Sequence, residues 1–469
     1  MCLTVVEKKQ TAERLSESLA EVQRLIELHQ THDALAQADS DALSALQQRL
    51  QSLHPADVAY ILEALPLQER LLVWQRVKIQ QDGDILLEVS DAVRETLIDS
   101  MAPDELVAAV RQLDTDELAE LAGDLPRQVV YEVMGELDEA EREQLQSALS
   151  YPEGSVGALM DFELVKIRAD VSCEVVLRYL RRFDELPHQT DKIFVLDAAE
   201  TLCGVLPLRS LLVADPERMV SEVMATEVVS FQPEDESRDA ALAFERYDLV
   251  SAPVVDERGA LIGRLTVDEM VDVMREESDS EVLNLAGLKE EEDLFAPVVD
   301  SVKNRWAWLA INLCTAFVAS RVIGAFEQSI NQLVALAALM PIVAGIGGNS
   351  GNQTITMIVR ALAMGQMQVG QAWRLWRKEL GVSIINGLVW GGAIGLIAWA
   401  LYGRLSLGLV MLAAMTLNLM LAATMGVLIP SLMQKMGRDP ALGSSVLITA
   451  CTDSGGFFIF LGLATLFLL

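Results

Sequence analysis

An apolar residue returns every twelve positions from Leu53 to Leu149: Leu53, Leu65, Val77, Val89, Met101, Leu113, Leu125, Leu137 and Leu149. Breakers or helix caps follow closely, as in Leu65-Pro66, Val89-Ser90, Leu113-Asp114, Leu125-Pro126 and Leu137-Asp138. Twelve residues hold one short helix and its turn, so this stretch predicts a stack of short helices sharing a core, a superhelix with the logic of a solenoid. Pro103 followed by Asp104-Glu105, and Asp138 followed by Glu139, are suitable helix starts. Residues 1–50 are rich in Gln, Glu, Leu and Ala and predict one or two polar helices. The whole of 1–150 is therefore expected to be all-α.

After Tyr151-Pro152 the pattern changes, and the new one repeats once. Val156-Gly-Ala-Leu-Met160, with an extended run to Ile167, matches Val220-Ser-Glu-Val-Met224, with Val228 to Phe231. Each copy continues with a helix (Cys173 to Phe183; Ser237 to Tyr247) and a strand (Ile193 to Leu196; Ala252 to Val255), then a turn, another strand and a closing helix. This α+β tandem, 151–216 and 217–276, resembles a pair of cystathionine-β-synthase (CBS) motifs, a regulatory module that often binds adenine nucleotides. In that family a Thr and an Asp after the second strand contact ribose and phosphate. The second copy has both, as Thr266 and Asp268, where the first has Pro207 and Arg209. The resemblance thus implies ATP at the second copy only, with a purely structural dimerisation role as the competing reading.

Between Val273 and Asp300 an acidic, helix-forming stretch predicts a connecting helix at 277–300. Five apolar segments follow, at about 306–326, 333–348, 380–402, 407–429 and 447–469, so 301–469 is expected to be a transmembrane domain of five helices. Basic residues cluster before the first, between the second and third, and between the fourth and fifth. By the positive-inside rule the N-terminal 300 residues are cytosolic and the C-terminus lies outside.

Charge separates the halves further. From Ser301 onward ten basic residues face four acidic ones, about +6, which leaves about −38 of the total −32 on residues 1–300. Such a region repels nucleic acid and anionic lipid and attracts multivalent cations, although an acidic surface also serves solubility. The five cysteines are scattered without zinc or disulfide spacing, which suits a reducing cytosol. No apolar core of signal-peptide length opens the chain. No nucleophile–base pair or P-loop is visible, so an enzyme is not expected.

One carboxylate, Asp453, lies inside the last apolar segment, beside Thr449, Thr452 and Ser454 and with no basic residue in the segment. A charge at membrane depth is costly and marks an ion or proton path, unless it bonds to a neighbouring helix or snorkels. The second segment ends Pro341-Ile-Val-Ala-Gly345-Ile-Gly347-Gly348-Asn349-Ser350-Gly351-Asn352-Gln353. Proline and glycines there predict an unwound break lined by neutral oxygens, suited to a hard cation. Taken alone, the glycines also suit close helix packing.

That run, the Asp439-Pro440-Ala-Leu turn and the Thr452-Asp453-x-x-Gly456 stretch resemble the MgtE magnesium channel family, as does the order of the parts. The resemblance implies a homodimer in the lipid of a bacterial plasma membrane, with the pore on the two-fold axis. Asp453 would hold hydrated Mg²⁺, Thr449 would offer its carbonyl, and Gly348 and Asn352 would shape the filter. Cytosolic Mg²⁺ would close the pore by bridging Asp248, Glu269, Asp272, Glu277, Glu281 and Asp439, with Asp116 and Glu120 as partners in the superhelix. Arg238, Arg275 and Ser280 stand where the family often carries acids. Mn²⁺, Co²⁺ and Ni²⁺ are further candidate permeant ions. The alternative class is a nucleotide-regulated divalent-cation secondary transporter coupled to Na⁺ or H⁺. It calls for more intramembrane ionisable groups or an inverted repeat.

Overall fold

The computed structural model describes residues 5–31, 36–77, 81–288, 293, 295–363, 371–437, 440 and 443–469. It divides into two compact units, Met1–Glu277 with Glu291–Ala296, and Ser278–Glu290 with Pro297–Leu469.

The first unit opens with α1 (Val5–Thr31) and α2 (Ala36–Leu50). Val22, Ile26, Leu46 and Leu50 are buried in their contact, and Arg49 of α2 donates to Ser18 Oγ of α1 at 2.9 Å. Eight short helices follow: α3 (Pro55–Glu63), α4 (Leu67–Trp74), α5 (Asp82–Glu88), α6 (Asp91–Ser100), α7 (Pro103–Val110), α8 (Thr115–Leu121), α9 (Arg127–Glu136) and α10 (Glu139–Ala148). All but α5 start on the twelve-residue register. Leu65, Val89 and Leu125 are buried in one shared core, and Leu53, Val77, Met101, Leu113 and Leu137 pack against it. Leu149 departs from the expectation and is 43% exposed. It follows the last helix of the stack, so no further turn of superhelix covers it. The Asp138–Glu141 pair caps α10 reciprocally, with Asp138 Oδ1 accepting from the Glu141 amide at 2.8 Å.

Three arginines, twenty-four residues apart from Arg70 to Arg94 and forty-eight from Arg94 to Arg142 with Leu118 midway, join successive helix ends. Arg70 donates to the carbonyls of Leu62 (2.8 Å) and Leu65 (3.1 Å). Arg94 donates to those of Leu86 (2.7 Å) and Val89 (3.3 Å), and Arg142 to those of Met134 (2.8 Å) and Leu137 (2.8 Å). Each guanidinium thus satisfies the orphan carbonyls ending the preceding helix. Arg70 is fully buried and also grips Asp293 by two bonds of 2.7 and 3.0 Å.

The tandem folds as β1 (Lys166–Arg168), α11 (Cys173–Leu180), β2 (Lys192–Leu196), β3 (Leu202–Pro207), α12 (Leu208–Val213), α13 (Val220–Val223), α14 (Ser237–Tyr247), β4 (Ser251–Val255), β5 (Leu261–Thr266) and α15 (Val267–Ala286). β1 lies parallel to β2, β2 antiparallel to β3, and β4 antiparallel to β5. The copies exchange their opening segments. Asp161 bridges to Arg264 of β5, and Ala225 to Val205 of β3. Met160 and Met224 press on Gly263 and Gly204 respectively, where a Cβ would meet each sulfur at 3.0 Å.

Among the described residues no separate connecting helix spans 277–300. α15 runs unbroken across 277 to Ala286, and Gly287 stops it at φ +77°. The Gly287 amide bonds to the Asn284 carbonyl and that of Leu288 to Leu283, a Schellman ending that needs a left-handed residue. A new helix starts at Val298; residues 289–292 and 294 lie outside the described ones.

The second unit contains α16 (Val298–Ala325), α17 (Glu327–Gln332), α18 (Ala335–Ala363), α19 (Ala372–Tyr402), α20 (Leu405–Lys435) and α21 (Ser444–Leu468). Among the described residues four stretches are long and apolar enough to cross a membrane: Ser301–Ala325, Ala372–Tyr402, Leu405–Lys435 and Ser444–Leu468. The polar run from Asn349 to Gln353 keeps α18 out of that set. The expected unwound break is also not observed, because α18 is helical through Pro341 and every glycine after it. Pro341 sits near the start of the helix, and the glycines serve close approach instead. A Cβ on Gly351 would stand 2.5 Å from Ile448 of α21, and one on Gly426 of α20 2.9 Å from Thr354. Gly387, Gly391 and Gly395 of α19 likewise seat α20.

Candidate functional site

Helical spacing puts Asn349, Asn352, Gln353, Thr356 and Arg360 on one face of α18, where with Met357 they line an open cleft of about 670 Å³. Ser445, Thr449 and Asp453 fall one turn apart on one face of α21. The two polar faces meet where Ser445 Oγ donates to Asn352 Oδ1 at 3.2 Å. Further along, a Cβ on Gly348 would stand 3.7 Å from Thr452 Oγ1. The structure thus brings Gly348 and Asn352 opposite the stretch carrying Thr449, with Asp453 one turn beyond. Thr449 is exposed, and its hydroxyl donates to the Ser445 carbonyl at 2.8 Å. Its own carbonyl accepts from Thr452 Oγ1 at 3.2 Å. The Asp453 side chain is half-buried.

Two buried polar residues in this unit carry no sequence signal of their own. Asn418 of α20 is fully buried and donates to the Val343 carbonyl of α18 at 2.9 Å. Glu379 of α19 is 6% exposed, 3.4 Å from both Thr354 Oγ1 and Lys378 Nζ. Burial, which only the fold reveals, marks them.

In the first unit α8 presents Asp116 and Glu120 to the opening turns of α15. Burial raises Asp116 to about 7, with help from the Asp161 charge, and raises Glu120 to about 7, with Arg94 opposing and Asp272 reinforcing. Glu269 is pushed to about 8 by burial and by Glu120 and Asp116. Asp272 is raised by burial, against the pull of Arg275. The structure therefore gathers Asp116, Glu120, Glu269 and Asp272 into one carboxylate cluster. Arg94 supplies partial compensation, 3.5 Å from Glu120 and 3.1 Å from both Asp91 and Asp124.

The other expected sensor residues lie elsewhere. Glu277 pairs with Arg238 at 3.7 Å, so an arginine does there what a cation would do. Asp248 is exposed and closes α14 in the left-handed conformation, φ +51°. Glu281 is half-buried on α15, and Asp439 lies outside the described residues. Among the described residues no three His, Cys, Asp or Glu side chains converge closely enough to hold one bare ion. All-carboxylate donors at wider spacing suit a hard cation that keeps its water shell. Thr266 is buried at the end of β5, and Asp268 is exposed in the first turn of α15, where its charge adds to the field on Glu269. A nucleotide phosphate at that edge meets negative charge unless a cation accompanies it.

A family model described as a divalent cation transporter, MgtE, matches residues 340–463. The model of the MgtE intracellular N domain matches 53–154, and that of the CBS domain matches 220–276. The magnesium transporter MgtE of Thermus thermophilus is 31% identical over 443 residues, 93% of this chain and 97% of that one. That of Bacillus subtilis is 27% identical over 419 residues, 89% of this chain and 93% of that one. Among solved structures, the cytosolic domain of the Mg²⁺ channel MgtE in complex with ATP is 29% identical, covering 53% of this chain and 99% of that one at a TM-score of 0.45.

Proposed function

This chain belongs to the MgtE family of magnesium transporters, and we propose that it is a Mg²⁺-selective channel of a bacterial plasma membrane, closed by Mg²⁺ on its cytosolic side. Five helices cross the bilayer in this reading, with α18 as the polar one, the N-terminal 300 residues in the cytosol and the C-terminus outside. Two copies assemble so that the α18 and α21 faces line one path. Hydrated Mg²⁺ is the cargo: Asp453 draws it in, while Asn352, the backbone at Gly348 and the Thr449 carbonyl contact its water shell. Ions move down their electrochemical gradient with no enzymatic step.

The observation that carries the gating half is that Asp116 and Glu120 lie within electrostatic reach of Glu269, and Glu120 of Asp272, with three of these carboxyls raised to about 7, 7 and 8. Like charges held this close favour any cation that enters among them, so Mg²⁺ stabilises the packed arrangement and its loss releases it. Glu281, Asp248 and Asp439 are further candidate contacts for Mg²⁺, whereas Glu277 is held by Arg238. ATP at Thr266 and Asp268 is a further input, entering with Mg²⁺.

Mg²⁺ uptake by cells that depend on this protein tests the pore. Asp453→Ala is expected to reach the membrane and lose uptake, and Asp453→Asn to keep part of it. Wild-type uptake in Asp453→Ala overturns the assignment. Buried Glu379 favours a second reading, a proton-coupled transporter. Uptake driven against a Mg²⁺ gradient by an imposed proton gradient, and lost in Glu379→Gln, distinguishes it from a channel.

A further inference from the structure

Asn418 sits midway along α20 with its amide committed on one side only. Nδ2 donates to Val343 of α18 at 2.9 Å, while Oδ1 is buried without a hydrogen-bond partner. Two glycines make room for this side chain. A Cβ on Gly347 of α18 would stand 2.2 Å from Nδ2, and one on Gly456 of α21 would stand 2.7 Å from Nδ2 and 3.0 Å from Oδ1. Gly347 is the neighbour of Gly348, and Gly456 lies one turn after Asp453. The amide is therefore wedged behind both polar faces at the level of the candidate filter. A leucine fills the same space without stranding a buried acceptor, so packing alone does not account for an asparagine.

We propose that Asn418 is a positioning residue that sets the spacing of α18 against α21, and with it the gap between Gly348 and Asn352 on one side and Asp453 on the other. The inference rests on the pore reading above. Mg²⁺ keeps its octahedral water shell, whereas Co²⁺ takes protein ligands more readily, so the width of that gap weights one ion against the other. Asn418 touches no ion itself; it acts through the two helices it joins.

Mg²⁺ and Co²⁺ fluxes into liposomes containing the full chain test this in Asn418→Ala, Gly456→Ala and the double variant. Asn418→Ala is expected to change the Mg²⁺-to-Co²⁺ flux ratio by about threefold or more, which a merely structural loss would leave constant. Gly456→Ala is expected to lower Mg²⁺ flux about tenfold alone, yet less than about twofold once Asn418→Ala has vacated the space. If Gly456→Ala alone does not fold, recovery of the folded double variant is the same coupling, and failure of both overturns it. The proposal is also overturned if Gly456→Ala costs the same factor in both backgrounds, or if Asn418→Ala scales both fluxes equally. Asp453→Ala run alongside separates the two readings: normal Mg²⁺ flux in it removes the pore assignment, whatever the Asn418 pair does.

Discussion

Glu269, Asp116 and Glu120 keep most of their protons at pH 6 in the packed first unit, because burial and mutual repulsion raise them to about 8, 7 and 7. A carboxyl whose packed value exceeds its free value stabilises packing below the free value and loses that contribution as pH rises through the packed one. Without divalent ions the contact between α8 and α15 is therefore expected to loosen between about pH 6 and pH 8.5. Mg²⁺ replaces the departing protons, so its presence should abolish the difference. Limited proteolysis of α15 in the metal-free full-length protein measures this, and Glu269→Gln should blunt the response. Digestion equal at both pH values contradicts the assignment. At the neighbouring Asp268, calorimetry with Mg·ATP should find one site per chain, lost in Asp268→Ala; two sites, or binding indifferent to the substitution, count against it. The residue types in the cluster were legible as an acidic excess. Their partners were legible only in part: Arg275 acts on Asp272 three residues before it on one helix, whereas Arg94 reaches Glu120 and Arg238 reaches Glu277 through contacts that no local pattern encodes.

At the scale of elements, periodicity carried far. The twelve-residue recurrence placed seven of the eight stacked helix starts, because each helix buries one layer against its neighbours. The arginine spacing of twenty-four and then forty-eight residues was present in the sequence and is informative only once the carbonyls these arginines cap are known. Arg70 differs from Arg142 in also holding buried Asp293. Arg70→Met should thus destabilise its helix junction by about 3 kcal/mol, because the Asp293 carboxylate loses its cation and keeps only the Phe295 amide among the described residues. Arg142→Met should cost about 1 kcal/mol in lost caps. Hydrogen exchange at the α3–α4 and α9–α10 junctions checks this, and equal losses of protection would contradict it. Composition misled at two places. The glycines of α18 read as a break because their partners, Asn418, Ala422 and Ile448, lie far away in sequence. The acidic stretch over 277–300 read as one separate helix because its composition outweighed Gly287, whose left-handed φ ends α15 inside that range.

Across the whole molecule, the charge asymmetry gives the account its logic. A first half at about −38 resists compaction unless cations enter it, and several weak sites that favour the same packed state make the response to them steep. Protons substitute for part of that cation at low pH, and the Arg238–Glu277 pair substitutes permanently at one point. The most direct test is single-channel recording from the full-length protein while Mg²⁺ is varied on the side bearing the acidic half, for wild type and for the Glu269→Gln, Asp272→Asn, Glu281→Gln triple variant. Wild-type open probability is expected to fall steeply as Mg²⁺ rises through the millimolar range, and the variant is expected to stay open. A wild type indifferent to Mg²⁺, or a variant that closes at the same concentration, would contradict the account.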